Sequence, residues 1–181
     1  MVKKLLYQFD TDEVPSVFDS VVAYDGGADH VTGVAKVNSE NVSAMVDGCI
    51  YTRPPKDKMY TGIFVGGSSL SAGQSVFDAI RKRFFSNFRV SVMLDSNGAN
   101  TTAAAAVANI ASTCDLSSKE AVILGGTGPV GQRAAALLSK EGATVFITSR
   151  SLEKAKKTAE EINQRFGCDC DALAGATRDE R

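Results

Sequence analysis

The stretch Ala121–Ser151, AVILGGTGPVGQRAAALLSKEGATVFITSRS, constrains the fold more than any other part of this 181-residue chain. A short apolar run enters a glycine-rich turn, a helical pattern from Pro129 to Lys140 leaves it, and a second apolar run, ATVFITS, follows. That order and spacing predict a βαβ unit with parallel strands. Gly126, Thr127, Gly128, Pro129, Val130 and Gly131 fit G-x-G-x-x-G. In that pattern the first glycine permits the tight turn, the second clears room for a pyrophosphate, and the third lets helix and strand pack closely. Pro129 suits a first helical position, where its missing N–H has no helical partner. The remaining N–H groups and the helix dipole would face phosphates. A glycine-rich βα turn that binds nothing is the alternative reading.

The end of the second strand discriminates between cofactors. An NAD site places Asp or Glu there for the ribose hydroxyls. Here the sequence is Thr148-Ser149-Arg150-Ser151, without a carboxylate. Hydroxyls beside a guanidinium suit a 2′-phosphate, so Ser149, Arg150 and Ser151 join the glycine-rich turn as candidate NADP-binding residues. A plain surface role for Arg150 is the competing reading.

Upstream, KKLLYQF predicts a strand, and DTDEVPSVFDSVVAYDGG a helix with Asp or Thr caps, with Val17, Phe18, Val21 and Val22 on its apolar face. A short strand near His30–Thr32, a helix over 39–46, a strand in TGIFVGG, a helix in SSLSAGQSVFDAIRKRFF and a strand in FRVSVML follow. Strands alternating with helices predict a parallel sheet. The fold class expected is therefore α/β: an N-terminal parallel-sheet domain over 1–98, a small-residue connecting helix and linker over 99–118, and the first half of a Rossmann-type domain over 119–181. A complete dinucleotide-binding domain has two mononucleotide halves. The chain is accordingly expected to be a C-terminally truncated fragment, inactive by itself.

Composition excludes several classes. The formal net charge is −1, which gives no ground for nucleic acid or an anionic membrane surface as partner. Arg81, Lys82 and Arg83 form a local basic cluster that reads as the solvated end of a helix. No apolar stretch has the length to span a bilayer, and the N-terminus turns polar too soon for a secretory signal, so a cytoplasmic protein is expected. Cys49, Cys114, Cys168 and Cys170 show no Cys-x-x-Cys spacing, and His30 is the single histidine, so no metal is expected.

The segments KKLLYQFDTD, PSVFDSVVAYDGGADHVTG, DGCIYTR, GIFVGG, MLDSNGANTTAAA and GGTGPVGQRAA together resemble the bacterial NADP-dependent methylene-tetrahydromethanopterin dehydrogenases, which are similar in architecture to methylene-tetrahydrofolate dehydrogenases. Members of that family are longer than this chain, in keeping with a fragment. The resemblance implies transfer of a hydride from the methylene bridge of the reduced pterin to NADP⁺ in one-carbon metabolism, by a homo-oligomer such as a trimer. Hydride loss leaves a carbocation stabilised by two flanking nitrogens, so no acid–base constellation is required. Carboxylates near that carbon would serve the developing positive charge.

On this reading Asp19 and Asp95 are the candidate catalytic residues. Phe18 and Tyr24 are candidates for apolar or stacking contact with the pterin, and Asn100, Thr101 and Thr102 for its polar groups. Each has a bland counterpart: Asp95 and the Asn100–Thr102 trio as caps of the helix they precede or open, Asp19 as a solvated helix residue, Phe18 as core. Two functional alternatives remain, a methylene-tetrahydrofolate substrate and a non-catalytic NADP-binding module.

Overall fold

The computed structural model describes residues 2–175. The chain divides into two compact units, residues 1–97 and 98–181. The first contains β1 (Leu5–Asp10), α1 (Val17–Asp25), β2 (His30–Val34), α2 (Val42–Tyr51), β3 (Thr61–Gly66), α3 (Leu70–Arg83) and β4 (Ser91–Leu94), with a 3-10 helix over Pro55–Tyr60 before β3. The strands form a parallel sheet in the order β2-β1-β3-β4.

Successive side chains of a strand point to opposite faces, and here the two faces differ in kind. Phe9, Ile63 and Val65 enter an apolar core with Val42, Val46, Cys49 and Ile50 of α2 and Val76 and Ile80 of α3. Gln8 and Asp10, the neighbours of Phe9, are buried on the other face, where α1 lies. That helix is fastened by polar contacts. Gln8 Nε2 donates to the Ser16 carbonyl at 3.1 Å, and Ser20 Oγ donates to Gln8 Oε1 at 2.7 Å. No residue of α1 is buried, and Val17, Phe18, Val21 and Val22 are exposed. The apolar face expected to enter the core does not: Val17, Phe18, Val21 and Val22 stay exposed while α1 is held through its polar contacts with Gln8.

The second unit contains α4 (Ala99–Ala111), β5 (Glu120–Ile123), α5 (Pro129–Lys140), β6 (Thr144–Ser149), α6 (Leu152–Phe166) and β7 (Cys170–Ala174), with a three-stranded parallel sheet in the order β5-β6-β7. It is a βαβαβ run, the pattern of one mononucleotide-binding half. Its core joins Val145 and Ile147 of β6 to Ala135, Ala136 and Leu138 of α5 and Ala159 and Ile162 of α6. The small-residue helix α4, read from the sequence as a connector, clusters with this unit and places Val107 in the same core. Its alanines allow the close approach to α5 that larger side chains would block.

Candidate functional site

In an open parallel sheet, ligands bind beyond the carboxyl ends of the strands. In the first unit that rim is made of Asp10 at the end of β1, Gly66–Ser68 after β3, Asp95–Asn97 after β4, and the N-terminus of α1, whose first turn carries Asp19. Asp10 is 1% exposed, and its carboxylate accepts the N–H groups of Asp12 at 2.9 Å and Ser16 at 3.0 Å. Ser16 is the N-cap of α1, its Oγ accepting the N–H of Asp19 at 3.1 Å.

Gly66 marks where these groups meet. A Cβ there would lie 3.1 Å from Phe64 Cε1, 3.3 Å from Asp19 Oδ2 and 3.4 Å from Asp10 Oδ2. Asp95 is buried beside them, its N–H donating to the Val65 carbonyl at 3.0 Å. Burial pushes the Asp19 carboxyl above its ordinary value of 3.8; a hydrogen bond from the Ser16 side chain pulls it back, and the charges of Asp10 and Asp95 push it further up. The loops behind the rim are tied together. Asp12 accepts the N–H of Ser68 at 2.9 Å and its hydroxyl at 3.0 Å, and the N–H of Asn97 donates to the Gly67 carbonyl at 2.8 Å.

Of the residues singled out from the sequence in this unit, Asp19 and Asp95 come together at the rim. Phe18 stands beside Asp19 in sequence and is 76% exposed, so it is not a core residue. Tyr24 is not brought to the rim. Six residues beyond Phe18 on α1, it lies about 9 Å further along the axis, and its hydroxyl accepts the N–H of Val31 near the start of β2. Asp10 escaped the sequence reading because an Asp just before a helical pattern reads as a cap. The signal that could have found it is its position as the last residue of a strand.

Asn100, Thr101 and Thr102 open α4 in the second unit. The N-cap of α4 is Gly98, without a side-chain cap bond, and the Thr101 hydroxyl donates to the Gly98 carbonyl at 3.3 Å.

The glycine-rich turn of the second unit joins β5 to α5. The left-handed residue is Gly125, at φ 68°, not Gly126. Gly126 serves close packing instead: its N–H donates to the Thr148 carbonyl at 2.9 Å, and a Cβ would lie 2.7 Å from Ile147 Cβ. Gly131 presses on Gly126, whereas a Cβ on Gly128 would meet nothing nearer than 3.8 Å. The space over Gly128 is thus open to an incoming group. Pro129 starts α5, and the Gln132 side chain holds the turn through the Thr127 carbonyl at 2.9 Å. Thr148 is buried and bonded to the Gly125 N–H at 3.2 Å, so it belongs to the turn.

A cavity of about 350 Å³ lies beside that turn, lined by Leu124, Gly125, Thr148, Ser149, Arg150 and Gly175. Arg150 is exposed at its edge. Ser151 is committed locally, as N-cap of α6 through the N–H of Lys154 at 3.2 Å. Ser149 Oγ accepts the N–H of Ser151 at 3.4 Å, and both Ser149 and Arg150 line the cavity.

Elsewhere His30 is exposed at the start of β2, and Arg83 of the basic cluster pairs with Asp47 through two bonds of 2.6 Å. No group of three His, Cys, Asp or Glu among the described residues could hold a metal ion. No helix among them is long and apolar enough to cross a membrane.

Residues 17–97 match the family model described as methylene-tetrahydromethanopterin dehydrogenase, N-terminal. Beyond them, the chain is 59% identical over 168 residues to the bifunctional protein MdtA of Methylorubrum extorquens, a match covering 92% of this chain and 58% of the relative. It is 31% identical over 188 residues to the NAD(P)-dependent methylenetetrahydromethanopterin dehydrogenase of the same organism, covering 100% of this chain and 63% of that one. The chain thus spans less than two thirds of either relative. Among solved structures, the ligand-free 5-ketofructose reductase of Gluconobacter sp. strain CHM43 is similar with a TM-score of 0.55 at 20% identity, over 96% of this chain and 63% of that one. At that identity the likeness is one of fold alone, a Rossmann-type α/β fold.

Proposed function

We propose that the protein acts as a methylene-tetrahydromethanopterin dehydrogenase, moving a hydride from the methylene bridge of the reduced pterin to NADP⁺. The observation that carries this reading is the meeting of Asp10, Asp19 and Asp95 at the sheet rim of a unit that matches the dehydrogenase N-terminal family. Carboxylates gathered at one rim suit a reaction that creates positive charge.

The second unit fits the cofactor by the open space over Gly128, the left-handed turn at Gly125, the N-terminus of α5, and Ser149 with Arg150 beside a cavity. Those residues would hold the pyrophosphate and the 2′-phosphate. When bound, NADP⁺ supplies the hydride acceptor.

The chain's own part is electrostatic and positional. Asp19 is kept by its buried, negatively charged surroundings in a condition that an adjacent cation relieves. Positive charge developing on the methylene carbon is favoured by the adjacent Asp19 carboxylate, which stabilises the methenyl product. Asp95 adds a second buried carboxylate to the same field. Phe18, exposed next to Asp19, offers a face for the pterin ring. No proton leaves the carbon, so the lone histidine's distance from this chemistry is no obstacle. The same reading carries a cytoplasmic homo-oligomer with a small-molecule substrate and no nucleic acid or membrane partner.

The test is NADPH formation by the purified protein given methylene-tetrahydromethanopterin and NADP⁺, with methylene-tetrahydrofolate as the parallel substrate. Turnover with the first supports the reading, and turnover with folate alone moves the substrate. NADP binding without turnover on either would leave a binding module and overturn it.

A further inference from the structure

We propose that Asp10 is a positioning residue, which sets Asp19 at the substrate rim through Ser16 and sustains the negative field that Asp19 faces. The proposal rests on the dehydrogenase reading only in taking Asp19 to face substrate.

The linkage is continuous. Asp10 ends β1, the central strand flanked by β2 and β3, and accepts the N–H of Ser16 at 3.0 Å; Ser16 Oγ accepts the N–H of Asp19 at 3.1 Å. The N-terminus of α1 is therefore tied to the middle of the sheet by two hydrogen bonds in series. Because α1 buries no residue of its own, those bonds and the Gln8 contacts decide where Asp19 stands.

The charge of Asp10 needs a separate explanation. A buried carboxylate is costly unless hydrogen-bonded or paired with a cation, and among the described residues Asp10 makes no ion pair. Its two bonds go to backbone N–H groups of the following loop. Asx turns of that kind form readily at exposed positions without placing a charge against another carboxylate. Here both Asp10 Oδ2 and Asp19 Oδ2 reach the space above Gly66, where a single added carbon would touch each. Repulsion between them is built in and is offset once a cation occupies the rim. The charged groups that act on Asp19 are Asp10 from β1 and Asp95 from the segment after β4, opposed by the Ser16 side chain from its own helix. Asp12 is occupied by Ser68.

The test is a carbon-detected NMR titration of the Asp carboxyls in the full chain without substrate. In Asp10→Asn the Asp19 midpoint is expected to fall, because a repelling charge is gone. In Ser16→Ala it is expected to rise, because the hydrogen bond favouring the carboxylate is lost. A residue that merely anchors the loop predicts that both variants loosen α1 and move the midpoint down together. An unchanged or raised midpoint in Asp10→Asn, or a lowered one in Ser16→Ala, overturns the proposal. Should Asp10→Asn fail to fold, the wild-type titration decides. The wild-type Asp19 midpoint should then lie above its ordinary value of 3.8, and a midpoint at or below it overturns the proposed field. Failure of the dehydrogenase assay leaves these titrations unaffected, so the two readings fail separately.

Discussion

Gly131 lies against Gly126 so closely that a Cβ on Gly131 would fall 2.7 Å from the Gly126 Cα and 2.8 Å from its carbonyl oxygen. The obstructing atoms are backbone and cannot swing aside. Gly131→Ala is therefore expected to cost about 1–3 kcal/mol, read by urea denaturation. Gly128→Ala has room within the protein and is expected to leave the denaturation midpoint unchanged while weakening NADP at least about tenfold by calorimetry, since the added methyl occupies the pyrophosphate's approach. Equal effects of the two substitutions on stability would reject the separate roles given to these glycines.

Arg150 is the guanidinium beside the cavity at the end of β6. A charge-assisted hydrogen bond contributes about 1.5–3 kcal/mol, so Arg150→Ala should weaken NADP binding by roughly 10- to 150-fold. NAD, lacking the 2′-phosphate, should bind the variant and the wild type alike. If the preference between the two cofactors is unchanged, Arg150 does not read the 2′-phosphate.

The alternation of strands and helices was legible because apolar runs bounded by glycine and proline leave few other options. Helix Leu70–Arg83 and the βαβ unit around the glycine turn stand where their patterns place them. Helix α1 was legible as a helix and misread in its partner. Its apolar residues announce a core face, but which side of the sheet lies beneath is decided by the alternation of Gln8, Phe9 and Asp10 across β1, a tertiary fact. The glycine turn shows the same limit. Its pattern is read from Gly126, yet the left-handed residue is Gly125, because Gly126 is already engaged by the Thr148 carbonyl of the neighbouring strand. Asp10 was hidden because its role depends on Asp19 and Asp95, which are close only after folding.

The raised Asp19 pKa has a consequence for stability. A group with a raised folded pKa contributes fully below its unfolded value, here near 3.8, and that contribution is lost as pH rises through the folded pKa. Asn resembles the protonated form at every pH. Asp19→Asn should therefore match the wild type in melting temperature below pH 3.8 and exceed it as the pH rises through the folded pKa of Asp19. A melting difference that stays flat over that interval would mean the carboxylate is not disfavoured by its surroundings.

Asp95 contributes negative charge at the rim from a buried position. Asp95→Asn keeps the shape of the side chain and removes the charge, so turnover should fall roughly 100-fold, the scale on which one group stabilising transition-state charge is lost. The dissociation constant for NADP, measured without pterin, should move less than about threefold. Equal turnover with wild type would take Asp95 out of the reaction.

Phe18 and Phe9 separate binding from folding within one unit. Phe9 is 1% exposed in the core between β1, α2 and α3, and Phe9→Ala should cost about 3–5 kcal/mol by chemical denaturation. Phe18 is 76% exposed and surrounded by no core, so Phe18→Ala should change stability by less than about 0.5 kcal/mol. An aromatic ring left in solvent beside the Asp19 carboxylate adds little to the fold, so its use is expected in what it meets. Loss of stacking worth about 0.5–1.5 kcal/mol corresponds to a KM for the pterin raised roughly 2- to 12-fold, with the KM for NADP unchanged. A normal pterin KM in Phe18→Ala would remove that ring from the substrate's surroundings and leave α1 acting through Asp19 alone.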